Sequence, residues 1–249
     1  MSRFVKECFL VSRLLGPIGA VRWALGGFAS AATVLRTRSL ASADEFLGHG
    51  LTLRCGDRRL QVSDADFGVC REILGHDCYR LASCAGQLRT AIDLGANCGI
   101  FTLMAATLNP QCRILAVEVN PGLATATIAN AARNGFANRV TVINQLVGVA
   151  DDPTVRILME KNPTITMFDP REAVRQLGGC DFLKCDVEGG EHALFAGDLS
   201  WLQGVRRLAI EYHWTEAEGA RLARLIESAG FTVEQKPHRN LGYVFGVAK

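Results

Sequence analysis

Between Arg89 and Tyr212 short apolar runs alternate with segments of helical periodicity, and this alternation constrains the fold more than any other feature of the chain. The runs are Thr90–Leu94, Arg113–Val117, Val140–Ile143, Phe182–Asp186 and Leu208–Tyr212, and they read as buried strands. Helices are expected near 100–108, 122–134, 190–196 and 216–229. Strand and helix in turn imply parallel strands joined by right-handed crossovers, so the fold class is α/β with a doubly wound sheet.

On either side of that unit the pattern changes. Leu51-Thr-Leu-Arg-Cys and Arg59-Leu-Gln-Val, joined through Gly56-Asp57, read as a hairpin, and Val69–Leu74 reads as helical. Gly230-Phe-Thr-Val-Glu and Gly242-Tyr-Val-Phe-Gly-Val, separated by a loop holding Pro and Asn, read as a closing hairpin. A length of 249 residues suits one large domain with an appendage. We divide it into an extension, residues 1–47, and a main domain, residues 48–249. With 49% hydrophobic and 21% charged residues, disorder, collagen and coiled coil are excluded. The net charge of +2 gives no bulk electrostatic reason for phosphate binding, so nucleic acid is not expected as a partner.

The extension is basic and amphipathic. Arg3, Lys6, Arg13, Arg22, Arg36 and Arg38 face one acid, Glu7, within the first 43 residues. Phe4, Cys8, Val11, Leu15, Ile18, Leu25, Phe28 and Leu35 recur mostly three or four apart, and Gly16-Pro17 is expected to break the helix into two. The longest charge-free stretch, Trp23 to Leu35, has 13 residues against the roughly 20 needed to span a bilayer, so no crossing is expected. Arg13 and Arg22 also interrupt any signal-peptide pattern. Two uses fit residues 1–43: packing on the main domain or on a second copy in a homo-oligomer, and peripheral attachment to anionic lipid. The expected location is cytoplasmic, with or without contact at the inner face of a membrane.

Nine cysteines contain no CxxC pair, and several lie in apolar runs, where a reduced thiol behaves as a small hydrophobe. His49, His76, His192, His213 and His238 show neither HxxxH nor HExxH spacing, so no zinc site is expected.

In doubly wound sheets ligands bind beyond the carboxyl ends of the strands. The first strand here runs into Asp93-Leu-Gly95-Ala-Asn97-Cys-Gly99 and then a helix. Glycines let such a loop turn sharply against a ligand. The GxGxxG spacing of a dinucleotide site is missing, and Asp93 would repel a pyrophosphate while complementing the cationic amino-acid end of S-adenosylmethionine. The second strand ends Ala116-Val-Glu118-Val-Asn120-Pro121, 23 residues after Gly95, where a carboxylate can accept hydrogen bonds from ribose hydroxyls. NAD and S-adenosylmethionine share that ribose, so the first loop decides between them. The candidate cofactor residues are Asp93, Gly95, Asn97, Gly99, Glu118, Asn120 and Asn144.

The fourth strand supplies Lys184-Cys-Asp186-Val-Glu188-Gly189-Gly-Glu191, where alternation puts Lys184, Asp186 and Glu188 on one face. At these residues the chain resembles the FkbM-type S-adenosylmethionine-dependent methyltransferases. The resemblance rests on Asp93-Leu-Gly-Ala-Asn-Cys-Gly-Ile-Phe-Thr-Leu, Val117-Glu-Val-Asn-Pro, Asn130 through Asn134, and Asp181-Phe-Leu-Lys-Cys-Asp-Val-Glu-Gly-Gly-Glu. It extends over about Asp64 to His213. Gly190 departs from the family's frequent Ala, and Asn162–Arg171 lacks a clean Thr-Leu-Asp run. The resemblance implies a Rossmann-like seven-stranded methyltransferase sheet with its last strand antiparallel, and methyl transfer commonly to a hydroxyl oxygen. It also implies that Asp93, Gly95, Asn97 and Gly99 cradle the methionine moiety, that Glu118 takes the ribose, and that Asn144 lies near the adenine.

A hydroxyl acceptor must lose its proton. Asp186 is the first candidate base, with Lys184 balancing charge and Glu188 orienting base or substrate. Glu211 and His213 share a face of the fifth strand, and His213 is the second candidate base. A structural ion pair of Lys184 with Asp186 or Glu188 is the alternative without catalysis. Asp186, Glu188 and Glu211 could also hold Mg²⁺, although their spacing does not demand a metal. The expected activity is O-methylation of a sugar, polyketide or similar small hydroxylated metabolite, a glycan included. The alternatives are a nitrogen- or protein-directed methyltransferase and a non-catalytic cofactor-binding pathway partner.

Overall fold

The structure is a computed structural model and describes residues 3–37, 39–48, 50–150, 152–238 and 241–249; Arg38 of the basic segment and His49 lie outside them. The chain opens with helices α1 (Arg3–Ala29), α2 (Ala31–Thr37) and α3 (Ala41–Glu45), then strands β1 (Leu51–Cys55) and β2 (Arg58–Val62). The two strands pair antiparallel as the Gly56-Asp57 turn requires. Helix α4 (Phe67–Cys70) runs into a π-turn at Arg71–Gly75, and a 3₁₀ segment follows at Leu81–Gln87.

The alternating unit then appears as read from the sequence: β3 (Thr90–Leu94), α5 (Ile100–Leu108), β4 (Arg113–Val117), α6 (Pro121–Arg133) and β5 (Val140–Ile143). Asn120 caps α6 by accepting from the Gly122 and Leu123 amides, and Pro121 supplies a preset first turn. The next stretch, unassigned by the sequence pattern, folds as β6 (Leu146–Val147), α7 (Pro153–Lys161), β7 (Met167–Phe168) and α8 (Pro170–Leu177). The chain ends with β8 (Phe182–Cys185), α9 (Glu191–Ala196), β9 (Arg207–Tyr212), α10 (Glu216–Ser228), β10 (Phe231–His238) and β11 (Leu241–Ala248). Thr215 and Glu218 form a reciprocal capping box at the start of α10.

Seven strands make one sheet in the order β10-β11-β9-β8-β3-β4-β5. The last strand, β11, lies antiparallel between β9 and β10, and β9, β8, β3, β4 and β5 are parallel. One apolar layer joins the hairpin, α5 and the extension; the other joins α8, α9 and α10 to the opposite face. The β3–β8 register sets Asp93 directly beside Lys184.

Inside α1, Gly16 has φ 77 just before Pro17, so the Gly-Pro pair kinks the helix where the sequence places the break. The expectation that no segment is long enough to cross a bilayer needs correction. Phe4–Ala29 is long and apolar enough to do so by length and composition, because the helix continues past the kink and through Arg13 and Arg22. Its inner side is taken up by the main domain. Val11, Leu14 and Trp23 are buried in the same cluster as Leu53 and Leu60 of the hairpin. Trp23 Nε1 donates to Asp44 Oδ1 at 2.7 Å, and buried Arg71 holds both Glu7, at 3.0 Å, and Asp44, at 2.9 Å.

Candidate active site

The loops after β3, β4, β8 and β9 meet at the carboxyl edge of the sheet. Gly95 leaves β3 with φ 74, and a Cβ there would lie 1.7 Å from the Asp186 carbonyl oxygen. Only glycine lets the first loop touch the turn after β8. Asn97 also adopts a positive φ of 53, and its amide donates to Glu118 Oε2 at 2.7 Å. The other Glu118 oxygen accepts from the Asn120 amide at 2.8 Å. This carboxylate thereby ties the first loop to the second and keeps lone pairs for a ligand.

A cavity of about 410 Å³ opens over these loops, lined by Gly95, Asn97, Glu118, Asp186 and Glu188 together with Val119, Leu146, Val147 and Leu158. Its donor set suits a nucleoside with a charged tail: a carboxylate for vicinal hydroxyls, aliphatic walls for a purine, and a glycine loop for the tail.

Four expected cofactor residues stand elsewhere. Asp93 is fully buried beneath the loop, accepting from Thr102 Oγ1 at 2.7 Å and lying 3.2 Å from Lys184 Nζ, so its charge is answered inside the protein. Burial raises its carboxyl, and Lys184 pulls the other way. Gly99 is the turn into α5, where a Cβ would meet Thr127. Asn120 is occupied as the α6 cap. Asn144 donates to the Glu118 and Val119 carbonyls at 2.8 and 2.9 Å, bracing the second loop, while its neighbour Gln145 reaches the cavity wall.

A second cavity, of about 170 Å³, shares Gly95, Asn97, Asp186 and Glu188 with the first and continues to Glu72, Tyr79, Lys184, Glu211 and His213. Strand β8 stops at Cys185 and Glu188 takes φ 56, yet Lys184, Asp186 and Glu188 still converge as the alternation predicts. Lys184 Nζ donates to the Gly95 carbonyl and stands 3.8 Å from Asp186 Oδ2. Burial alone would lower this ammonium, but Asp93 and Asp186 outweigh it and raise its pKa.

Tyr79, which sequence reasoning missed, donates to Glu211 at 2.7 Å and lies 3.1 Å from Asp186 Oδ2. It sits in an irregular loop outside the strand-and-helix alternation, and no motif marks it. Asp186 Oδ1 is buried without a hydrogen-bond partner, 3.7 Å from His213 Nε2. His213 Nδ1 faces Glu191, fully buried, at 3.3 Å, and Glu191 also accepts from the Val187 and Gly189 amides. That hydrogen bond, opposed by burial and helped by the charge of Glu191, pushes His213 up to about 9. That direction favours the imidazolium, which counts against His213 as a resting base. Burial, then the charge of Asp186, pushes Glu211 up to about 7.

Asp186, Glu188 and His213 offer ligand atoms within 4.8 Å of one another. The expected carboxylate trio differs from this group, because Glu211 turns to Tyr79 and His213 takes its place.

Residues 161–233 match the family described as Methyltransferase FkbM domain. Two curated relatives carry the name tRNA1(Val) (adenine(37)-N6)-methyltransferase. The one from Porphyromonas gingivalis is 31% identical over 85 residues, 32% of this chain and 33% of the relative. The one from Aeromonas hydrophila is 30% identical over 124 residues, 47% of this chain and 52% of the relative. The chain therefore spans between a third and about half of the length of the curated relatives it matches. Among solved structures, the precorrin-6y C5,15-methyltransferase of Geobacter metallireducens superposes with a TM-score of 0.45 at 17% identity, covering 68% of this chain and 84% of that one.

The curated relatives overturn the expectation that nucleic acid is no partner, for their names specify a tRNA substrate. That expectation rested on net charge alone, which says nothing about how cations and donors are distributed over a surface. Residues 161–233 are thus similar to a methyltransferase FkbM domain, and the loops around the larger cavity suit the nucleoside cofactor that the sequence resemblance implies.

Proposed function

We propose that the chain methylates a proton-bearing nitrogen, an amino group of an RNA base, held where the two cavities meet. The observation that carries this reading is the buried, unpartnered Oδ1 of Asp186, on the wall common to both cavities. An N–H placed there would satisfy it. The names of the curated relatives support nitrogen and RNA. Residues 48–249 form the catalytic domain in this proposal, with residues 1–47 as its extension.

Glu118 would hold the ribose, Gly95 and Asn97 the methionine end, and Val119, Leu146 and Val147 the adenine. When bound, S-adenosylmethionine supplies an activated methyl on a good leaving group. The protein's part is alignment, which contributes up to roughly 7–11 kcal/mol in well-oriented systems, and disposal of one proton. Asp186 accepts the acceptor's N–H and, as the nitrogen is methylated, takes its proton. Tyr79 links Asp186 to Glu211, whose carboxyl near 7 can hold a proton at neutral pH. Lys184 Nζ stands 3.8 Å from Asp186 Oδ2, and His213 Nε2 stands 3.7 Å from its Oδ1.

The second reading is a hydroxyl acceptor on a small metabolite. It is favoured by Glu211, because a base near neutrality serves a hydroxyl, which must surrender its proton, more than an amine. Labelled S-adenosylmethionine incubated with total RNA and, separately, with a panel of sugars and small alcohols tests both. Label recovered as an N-methylated nucleoside after nuclease digestion supports the first reading. Label confined to the small hydroxylated fraction selects the second and removes the first.

A further inference from the structure

We propose that the outward side of α1 is a docking surface for an anionic bilayer, on which the helix lies in the plane of the headgroups. The helix is apolar on two opposite sides. Val11, Leu14 and Trp23 are consumed by the domain core. Ile18, Val21, Leu25 and Phe28, spaced three, four and three apart, form a stripe facing away from it and are 78%, 59%, 56% and 67% exposed. Beyond the kink Phe9 continues the outward surface at 63% exposure. A soluble surface rarely carries so many large apolar side chains in one stripe without a partner.

Charge identifies the partner. Lys6, Arg13, Arg22 and Arg36 are exposed on the same segment, Arg13 four residues after Phe9 and Arg22 four after Ile18, which places each cation beside an apolar cluster. Glu7, the one acid in the first 43 residues, is buried and engaged by Arg71 and His76. Asp44 is likewise buried against Arg71, and exposed Glu45 is the nearby acid left on α3. An apolar stripe bordered by unneutralised cations fits lipid tails flanked by anionic headgroups. A second copy related by a two-fold axis would set these cations against each other, which disfavours self-association through the same stripe.

Co-sedimentation of the full chain with phosphatidylcholine vesicles, with and without phosphatidylglycerol, tests the proposal. The expected result is binding that requires phosphatidylglycerol and weakens with salt. It should fall at least about tenfold in Leu25→Ser/Phe28→Ser and roughly fivefold per cation in Arg13→Gln/Arg22→Gln. Both pairs are exposed, and unchanged S-adenosylmethionine affinity serves as the check on folding. Absence of binding to the anionic vesicles overturns the proposal. So does a concentration-dependent dimer that Leu25→Ser/Phe28→Ser dissolves, which would make the stripe a copy-to-copy interface. Retention in the membrane pellet after alkaline carbonate washing would also overturn it, by making α1 a crossing helix.

Discussion

The Tyr79 hydroxyl stands between two carboxylates, 2.7 Å from Glu211 Oε2 and 3.1 Å from Asp186 Oδ2. It has one proton and can serve only one of them at a time. The other must find a proton or another donor, so the protonation of Glu211 is linked to where the Tyr79 hydroxyl points. Tyr79→Phe removes the hydrogen bond that holds the Glu211 carboxyl down, while burial and the charge of Asp186 go on pushing it up. The acidic limb of the turnover profile should therefore move to higher pH, with a loss of roughly tenfold in turnover at neutral pH. Turnover measured across pH at saturating cofactor checks it; an unmoved limb would take Glu211 out of the proton path.

Glu211 and His213 both make stability fall as pH rises, in two different windows. Glu211 is raised from 4.5 to about 7 in the folded chain, so its contribution is present below 4.5 and lost as pH rises through 7. Glu211→Gln should gain stability relative to the parent as pH climbs through that window, by roughly 1–3 kcal/mol. His213 is raised from 6.5 to about 9, so its stabilisation is full below 6.5 and lost as pH rises through 9. His213→Gln should be less stable than the parent at neutral pH and converge with it above 9. Thermal denaturation of both variants across these windows reads the two contributions separately.

Asp186 borders both cavities, whereas its charge partners Lys184 and His213 lie on the acceptor side. Asp186→Asn keeps the shape of that wall and removes its basicity. Cofactor affinity should stay within a few-fold while turnover falls roughly 10²–10⁴-fold. A variant with normal turnover would leave alignment and solvent as the whole of the proton chemistry. Turnover lost together with several kcal/mol of stability would instead point to a structural ion-pair role.

The strands and helices from Arg89 to Leu108 were legible because local periodicity and burial agree there, and the glycine loop and Glu118 follow from where strands end. Asp93 was legible as a residue but not in its role. Its partner, Lys184, is 91 residues away and becomes a neighbour only through the β3–β8 register. Asn144 and Gln145 show the same limit at finer scale, since a shift of one position decides which side chain braces the loop and which reaches the cavity. The segment from Leu146 to Leu177 carries two-residue strands and short helices, too brief for any period to stand out. Tyr79 is set by tertiary packing, its ring edge-on to Phe101 and Tyr243, and nothing in its local sequence announces it.

Glu118 has two duties that a pair of substitutions can separate. It accepts amide protons from Asn97 and Asn120, and it faces the larger cavity. Glu118→Gln retains one acceptor oxygen and the side-chain length, while Glu118→Ala releases both loops. Calorimetry with S-adenosylmethionine should show a loss of roughly 1–3 kcal/mol for the alanine variant and a smaller one for the glutamine variant. Parental affinity in both would place the ribose elsewhere.

The anchoring of the extension rests on Arg71, whose guanidinium reaches Glu7 on α1 at 3.0 Å and Asp44 on α3 at 2.9 Å, with all three side chains buried. A planar fork can serve two carboxylates at once, and no other side chain replaces it at that geometry. In Arg71→Ala both carboxylates stay buried with their main cation gone, Glu7 keeping His76 and Asp44 the Trp23 indole among the described residues. Removing one member of a buried ion pair costs roughly 3–5 kcal/mol, so the loss should be of that size and should fall first on α1. Arg71→Lys keeps the charge without the fork and should lose less. Thermal denaturation gives the magnitude, and limited proteolysis shows whether cleavage within residues 3–29 is what the substitution exposes. If Arg71→Ala unfolds within about 1 kcal/mol of the parent with α1 still protected, then Val11, Leu14 and Trp23 hold the helix by apolar packing alone and the ion network is incidental to it.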